Sequence, residues 1–285
     1  MTWIESMREA IQYMEENLEE DLKVEDVAKH IFLSPFYFQK AFRLLCGFTV
    51  GEYIRNRRLT AAGNDLLTTN KKIIDIAMKY GYDSPDSFTK AFTRFHGATP
   101  TAVRKGGQTL KAFAPLKLKF SLEGGSIMDY KIVEKEAFQV IGISKRFHAD
   151  TSLKEIPAFW AEHCQSGNWK YIYGTYGVCM ETNETGQEFE YMIADDYDVN
   201  KHLPEEFQVF TIPKHTWAIF PCIGSMPKAL QDMNAKVFSE WLPNCTDYEI
   251  ADGYNIEYYA DPKKYEKGLQ DEKYYSECWF PIKKR

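Results

Sequence analysis

The chain has 285 residues with a formal net charge of −6, and 44% of its residues are hydrophobic. This length favours two domains, and because no run of about 18 apolar residues occurs, we expect no membrane-spanning helix. The six cysteines are scattered without a C-x-x-C pair and the histidines show no ligand spacing. We therefore expect no metal, no cofactor and the reducing cytoplasm as the compartment.

The first 18 residues form an acidic amphipathic pattern, which predicts a helix rather than a signal peptide. Beyond this helix, a nine-residue pattern occurs twice, 50 residues apart. The first copy runs from Ser34 to Phe42 and reads SPFYFQKAF, and the second runs from Ser84 to Phe92 and reads SPDSFTKAF. A short helical stretch precedes each copy, so one supersecondary unit has been used twice.

Both copies have the pattern of a capped helix with one buried face. Ser followed by Pro is typical of a helix start. Phe, Ala and Phe recur at i, i+3 and i+4, which predicts the buried face. The other face carries side chains that can bond bases and phosphates, as in the second helix of a helix-turn-helix. With the capping serines, these candidates are Ser34, Phe36, Tyr37, Gln39, Lys40 and Arg43, and Ser84, Asp86, Ser87, Thr89, Lys90 and Arg94.

The turns that precede the two copies differ in sequence. Gly81 lies in the second turn, where a residue in the left-handed conformation is often needed. Phe32 occupies the matching place in the first turn. Because a bulky side chain disfavours that conformation, we expect the first turn to close differently.

Residues 50–68 lie between the copies and predict a connecting helix. About 19 residues at about 1.5 Å each make a rod of about 28 Å. Adjacent major-groove segments on one side of B-DNA are about 34 Å apart, so this rod could hold two reading helices over them. Arg55, Arg57 and Arg58 lie early on the rod, within reach of phosphate. The apolar stripe consists of Tyr53, Ile54, Leu59, Ala61, Ala62, Leu66 and Leu67.

Charge is distributed unevenly along the chain. Residues 27–125 contain 16 Lys and Arg but 6 Asp and Glu, whereas residues 126–285 have a net charge of −9. A basic segment is what phosphate binding requires. The alternative is an ordinary helical bundle with a solvated basic surface, which the duplicated pattern and the rod disfavour.

Residues 5–105 resemble the DNA-binding domain of the AraC/XylS family of transcription regulators. The most specific stretch runs from Ile73 to Lys105 and matches the family's second helix-turn-helix, including Gly81 and Phe88. The resemblance implies an all-α domain of seven helices, which we place at residues 1–108, and binding to double-stranded promoter DNA. It also implies an activator that contacts RNA polymerase. Since one chain carries two reading units, we expect a monomer or a weak dimer.

The second half of the chain has the composition of an α+β domain. Residues 109–127 contain Gly pairs and are interpreted as a linker, and the next domain covers residues 128–285. Two helical segments, 156–164 and 227–241, alternate with strand-like segments in the order β-α-β-β, used twice. This order predicts an antiparallel sheet that carries two helices, with a cleft between the repeats as the natural ligand site.

The last predicted strand places a carboxylate among aromatic rings. By period-two alternation, Tyr275, Glu277 and Trp279 lie on one face. A carboxylate between aromatic faces suits an organic cation, because ring faces add cation–π attraction to the charge pair. The alternative is an exposed Glu277 on an edge strand, flanked by half-buried rings.

Residues 128–285 resemble the GyrI-like effector-binding domain, whose fold consists of two SHS2-type repeats. The resemblance is carried by YKIVEKEAFQVIGI at the start, NIEYYADP from Asn255 and YYSECWFPIKK at the end. It implies a small amphipathic, often cationic, effector held around Glu277. The lining candidates are Tyr173, Tyr176, Trp217, Tyr259 and Trp279, with Trp160, Trp169 and Phe220 as weaker ones.

The leading hypothesis is a ligand-responsive transcription regulator and not an enzyme. One alternative is a small-molecule hydrolase in which Glu277 acts as a general acid or base. A second alternative is a protein-binding module that uses its acidic surface.

Overall fold

The computed structural model describes residues 3–117, 128–149, 151–182, 188–200, 204–251 and 253–285. The described chain forms two units. Unit 1 contains Trp3–Leu33 and the described part of Cys46–Leu122. Unit 2 contains Ser34–Leu45 and the described part of Glu123–Arg285.

Seven helices cover the described N-terminal part of the chain, as the family resemblance implies. Within the described residues, no helix is both long enough and apolar enough to cross a lipid bilayer. The helices are α1 (Trp3–Glu16), α2 (Val24–His30), α3 (Pro35–Cys46), α4 (Val50–Thr68), α5 (Ile73–Lys79), α6 (Pro85–His96) and α7 (Pro100–Lys105).

The second copy of the repeated unit is built around α4, which confirms the predicted rod at residues 50–68. Leu59 and Leu66 of α4 pack in one core with Ile76 of α5 and Phe88 of α6. This core anchors α6 through the apolar face that the i, i+3, i+4 spacing predicts. Leu67 was expected on the same stripe but is 56% exposed, because the 3.6-residue period turns it away from the core.

The two turns close in the same way, so the expectation that they differ was wrong. Phe32 adopts φ +57°, beside φ +77° at Gly81. The backbone bonds also correspond: the N–H of Phe32 donates to Lys29 O, and that of Gly81 donates to Met78 O. The Phe32 side chain is 87% exposed. A left-handed phenylalanine is costly because its Cβ crowds the backbone, and the exposed ring gains no packing that would offset this cost.

The described part of the predicted linker, residues 109–117, belongs to unit 1 and packs against its helices. The N–H of Lys111 donates to His96 Nδ1 over 3.2 Å, and the N–H of Phe113 donates to Thr60 Oγ1 over 2.9 Å. Leu110 packs against the core of the second copy. The segment after α7 therefore packs across α4 and α6. The rest of the predicted linker lies outside the described residues.

Unit 2 is organised by one antiparallel sheet. Its strands pair in the order β1-β6-β9-β8-β3-β4-β2-β5, and β7 pairs with β9. The strands are β1 (Lys131–Lys135), β2 (Phe138–His148), β3 (Tyr176–Glu181), β4 (Glu188–Asp196), β5 (Gln208–Ile212), β6 (His215–Ile223), β7 (Tyr248–Ile250), β8 (Tyr254–Tyr259) and β9 (Tyr275–Lys284).

The sheet confirms the predicted duplication and refines its strands. The first strand of each predicted β-α-β-β unit is two strands, β1 with β2 and β5 with β6. When each strand is replaced by its counterpart in the other repeat, the same strand order is obtained in reverse. The pseudo-two-fold axis that relates the repeats therefore passes between β3 and β8. The first strand of each repeat pairs with a strand of the other repeat, since β1 pairs with β6 and β5 pairs with β2.

One helix of each repeat accompanies the sheet. Helix α8 (Ser152–Ser166) follows β2, and α9 (Lys228–Lys236) follows β6 and continues as a π-helical turn, Val237–Trp241. Helix α3 also belongs to this unit for all but its last residue. Helices α3, α8 and α9 therefore all lie in the unit that contains the sheet.

Substitution of the two turn residues, Gly81 and Phe32, tests the backbone strain at Phe32. We expect Gly81→Ala to lower the free energy of unfolding by about 1–2 kcal/mol, because alanine disfavours the left-handed conformation. We expect Phe32→Gly to raise it by up to about 1 kcal/mol, since relief of strain exceeds the added entropy of the unfolded chain. Urea denaturation of the full chain measures both changes. Equal destabilisation by both substitutions would contradict the strained turn.

Candidate functional site

Helix α6 presents its predicted reading face to solvent. Ser84 caps the helix by accepting the N–H of Ser87 over 3.2 Å, which explains the serine at this position. Phe88 and Phe92 are fully buried beneath the helix. On the outer face Asp86, Ser87, Lys90 and Arg94 are exposed and Thr89 is half-buried.

The arginines of α4 differ in their surroundings. Arg55 is exposed, as a phosphate contact requires. Arg57 instead forms an ion pair with Glu15 at 2.7 Å, and Arg58 donates to the carbonyls of Leu18 and Glu20. Arg57 and Arg58 therefore hold the N-terminal segment on α4, and their expected reach for phosphate is not what the structure shows.

Helix α3 differs from α6 although its sequence repeats the same pattern. Ser34 caps it through the N–H of Tyr37 at 3.3 Å, as expected. Phe36, Tyr37 and Gln39 were expected on an outward face, but they are 4%, 2% and 9% exposed. The physical reason is that this face packs on the sheet of unit 2, where the rings of Phe36 and Phe189 stand edge to face with their centroids 5.4 Å apart.

A cavity of about 890 Å³ lies in unit 2, over the centre of the sheet. Its walls come from α3, α8, the start of α9 and strands β3, β4 and β8. Lys40 and Arg43 of α3 reach it as well. The apolar and aromatic part of the wall includes Phe36, Leu44, Ile156, Trp160, Leu230 and Tyr259.

Glu257 is the carboxylate of this cavity. Its Oε2 accepts hydrogen bonds from Tyr191 OH at 2.8 Å and Tyr259 OH at 2.9 Å. Burial, followed by the negative charge of Glu257, holds the pKa of both tyrosines well above the ordinary value, so both stay hydroxyl donors. Among the described residues no Lys or Arg forms an ion pair with Glu257, and its Oε2 accepts from neutral hydroxyls.

Close packing positions this carboxylate. Trp160 Nε1 donates to Tyr191 OH over 2.9 Å, which completes a chain of donors from Trp160 to Glu257. A Cβ atom at Gly177 would lie 2.1 Å from Tyr191 OH and 2.9 Å from Glu257 Oε2. Glycine is therefore required at residue 177 for the tyrosine to reach the carboxylate. No group of three or more potential metal ligands occurs among the described residues.

The structure divides the predicted effector set between the two faces of the sheet. Tyr173 and Tyr259 line the cavity, as do the weaker candidates Trp160 and Trp169. A second group lies on the other face: the ring centroid of Trp279 is 6.0 Å from that of Trp217 and 6.2 Å from that of Tyr176, and its Nε1 donates to Glu277. Tyr176, Trp217 and Trp279 pack in the core on the opposite face of the sheet, Phe220 packs against Trp241 and Phe280, and Glu277 is not among the residues that line the cavity.

Glu277 is a buried carboxylate that accepts hydrogen bonds from three side chains. It is 6% exposed, and it accepts from Lys131 Nζ at 3.0 Å, Tyr275 OH at 2.6 Å and Trp279 Nε1 at 2.6 Å. Burial opposes its ionisation, but these three donors outweigh burial and lower its pKa. Both of its oxygens are thus engaged by the protein itself.

Strand register separates the two glutamates. Glu277 of β9 pairs with Tyr258 of β8, and directly paired residues share a face of the sheet. Glu257 is one residue earlier, so it projects from the opposite face. The sequence carried a signal for it: in β8, Asn255, Glu257 and Tyr259 alternate onto one face, the same pattern of carboxylate and aromatic ring that drew attention to Glu277.

Substitution of Glu277 tests its structural role. We expect Glu277→Gln to lower the free energy of unfolding at neutral pH by about 1–3 kcal/mol, because charge-assisted bonds from three donors are weakened. The pKa of Glu277 is lowered in the folded state, so its stabilisation is present above the ordinary value of 4.5 and lost as pH falls through the folded value. The deficit of the variant should therefore shrink on acidification, as measured by urea denaturation from pH 7 to about pH 3.5. A deficit that stays constant would contradict this assignment.

The N-terminal and C-terminal parts of the chain match different known families. Residues 131–282 match the model of the integron-associated effector binding protein family, and residues 27–106 match that of a helix-turn-helix domain. The HTH-type transcriptional activator AarP of Providencia stuartii is 41% identical over 96 residues, which are 34% of this chain and 71% of that protein. The regulatory protein SoxS of Salmonella typhimurium is 40% identical over 94 residues, which are 33% of this chain and 88% of that protein.

Similarity to a solved structure extends over about half of the chain. That structure is SAV2435 bound to tetraphenylphosphonium, at 21% sequence identity and a TM-score of 0.46. The match covers 55% of this chain and 94% of that one.

Proposed function

The chain belongs to the AraC-type helix-turn-helix transcription regulators and to the integron-associated effector binding protein family, and we propose that it activates transcription in response to a lipophilic organic cation bound at Glu257. The carrying observation is a carboxylate that is hydrogen-bonded by Tyr191 and Tyr259 in an aromatic cavity, without an ion-pair partner among the described residues.

The chemistry of the cavity supports this ligand class. A cavity of about 890 Å³ is the size of a site for a drug-sized molecule. Trp160 and Tyr259 stand edge to face at 4.9 Å beside the carboxylate and offer ring surface to a cation. A charge partly removed from water gains more from an opposite charge than it would at the surface. A bulky cation with aromatic substituents fits this combination.

Ligands of matched shape and opposite charge test the role of Glu257. Tetraphenylarsonium and tetraphenylborate have nearly the same size, so their difference reports charge. We expect the full chain to bind the cation more tightly, and Glu257→Gln to weaken cation binding on the order of tenfold without weakening the anion. Tryptophan fluorescence is the readout, since Trp160 and Trp169 line the cavity.

Glu249→Gln is the matched control, because Glu249 is a strand glutamate paired with Lys283 and does not line the cavity. It should bind the cation like the wild type. Equal loss of both ions in Glu257→Gln would point to a change of shape rather than of charge. Unchanged cation binding would exclude Glu257 as the anchor.

For DNA, we propose that the exposed face of α6 supplies reading contacts and that Arg55 supplies a phosphate contact. Exposure of Lys90 and Arg94 supports this arrangement. The proposed architecture has the DNA-binding domain at residues 1–108, a linker at 109–127 and the effector domain at 128–285. The regulator would act in the cytoplasm as a monomer or weak dimer that contacts RNA polymerase.

Substitution of Lys90 tests the DNA surface. We expect Lys90→Ala to weaken binding to a labelled duplex of about 40 base pairs and to reduce the salt dependence of binding by about one counterion. Lys228→Ala is the control, because Lys228 is exposed on α9 and pairs with Asp232. Fluorescence anisotropy at several salt concentrations measures both. An unchanged salt slope in Lys90→Ala would remove Lys90 from the phosphate contacts.

A further inference from the structure

Helix α3 is bonded to the sheet of unit 2 along the face predicted to read DNA. The N–H of Phe36 donates to Glu181 Oε1 over 3.1 Å, and Tyr37 OH donates to the carbonyl of Tyr254. Farther along the helix, Arg43 Nη1 donates to the carbonyl of Ala149. The face of α3 that was predicted to read DNA is therefore occupied by unit 2.

The same face also brings a cation into the cavity. Lys40 Nζ donates to Asn255 Oδ1 and lies 5.6 Å from the ring centre of Phe280. Asn255 is two residues from Glu257 on β8, so the two side chains project from one face about 7 Å apart. The charges of Lys40 and Glu257 both act on the buried thiol of Cys179, where burial and Glu257 raise the pKa and Lys40 lowers it.

We propose that α3 is an internal competitor of the effector: docked on the sheet it closes the cavity and places the Lys40 ammonium near Glu257, and a bound organic cation displaces it. This inference rests on the proposed function, since it assigns regulation to the same cavity. The docked helix buries its reading face, so the first helix-turn-helix is withheld from DNA until the effector binds.

Two physical effects set the direction of this switch. A cationic ligand near Glu257 repels the Lys40 ammonium, because like charges a few ångströms apart in a partly buried site disfavour each other. The ligand also takes space that Phe36 and Leu44 now line. Ligand binding therefore favours the undocked helix, and reciprocity requires that DNA which captures α3 tightens ligand binding by the same factor.

The repeated sequence provides a matched pair of variants. Lys40 and Lys90 occupy the same place in the two nine-residue copies, but Lys40 lines the cavity and Lys90 is exposed on α6. In the full chain, we expect Lys40→Met to tighten tetraphenylarsonium binding on the order of tenfold, because a competing cation is lost. Lys90→Met should bind it like the wild type. No gain in Lys40→Met, or an equal gain in both variants, would overturn the competition.

Hydrogen exchange reports docking of the helix directly. We expect saturating tetraphenylarsonium to speed exchange of the α3 amides, while the α6 amides keep their rates. Glu181→Gln should speed α3 exchange without ligand, because it weakens the bond to the N–H of Phe36, whereas Glu249→Gln should not. Ligand that binds without changing α3 exchange would overturn the competition and leave the proposed function standing.

These experiments distinguish a wrong ligand class from a wrong assignment of the docked helix. If tetraphenylarsonium does not bind the wild type, the proposed cation site fails, and the competition between cation and helix fails with it. Docking is then decided by exchange alone. Faster α3 exchange in Glu181→Gln would retain the docked helix, and unchanged exchange would remove it.

Discussion

The pairing of β3 with β8 is the contact on which the rest of unit 2 depends. Val178 and Ile256 face each other there, and both are fully buried. The pseudo-two-fold axis passes through this pair of strands, so the two repeats are joined at the centre of one continuous sheet. The cavity lies over this seam, and residues from both repeats reach it because the seam is where they meet.

The two faces of this sheet hold carboxylates of opposite character. Glu277 is satisfied by three donors that include a lysine, which is how a buried charge becomes part of a stable core. Glu257 is held by two tyrosine hydroxyls and forms no ion pair with a Lys or Arg among the described residues. The second arrangement suits the cationic ligand that we propose, because a partly buried carboxylate without an ion-pair partner gains from an opposite charge.

The two copies of the nine-residue pattern, in α3 and α6, lie in different environments. In α6 the shared apolar residues anchor the helix and the variable residues face solvent. In α3 the variable residues Phe36 and Tyr37 are large and aromatic, and they are buried in unit 2. Ser87, at the position of Tyr37, has no comparable surface to bury. Divergence between the copies thus has a physical meaning beyond base recognition, since it determines which helix can pack on a protein surface.

The sequence by itself determined much of the fold through local physics. Ser–Pro starts, apolar spacing and a left-handed turn residue placed α4, α5 and α6, and period-two alternation with repeated order gave an antiparallel, duplicated sheet. Tertiary structure alone decided which glutamate enters the cavity, because a one-residue difference in strand register moves a side chain to the other face. It also decided the burial of Phe36, because burial depends on which distant part of the chain packs against the side chain.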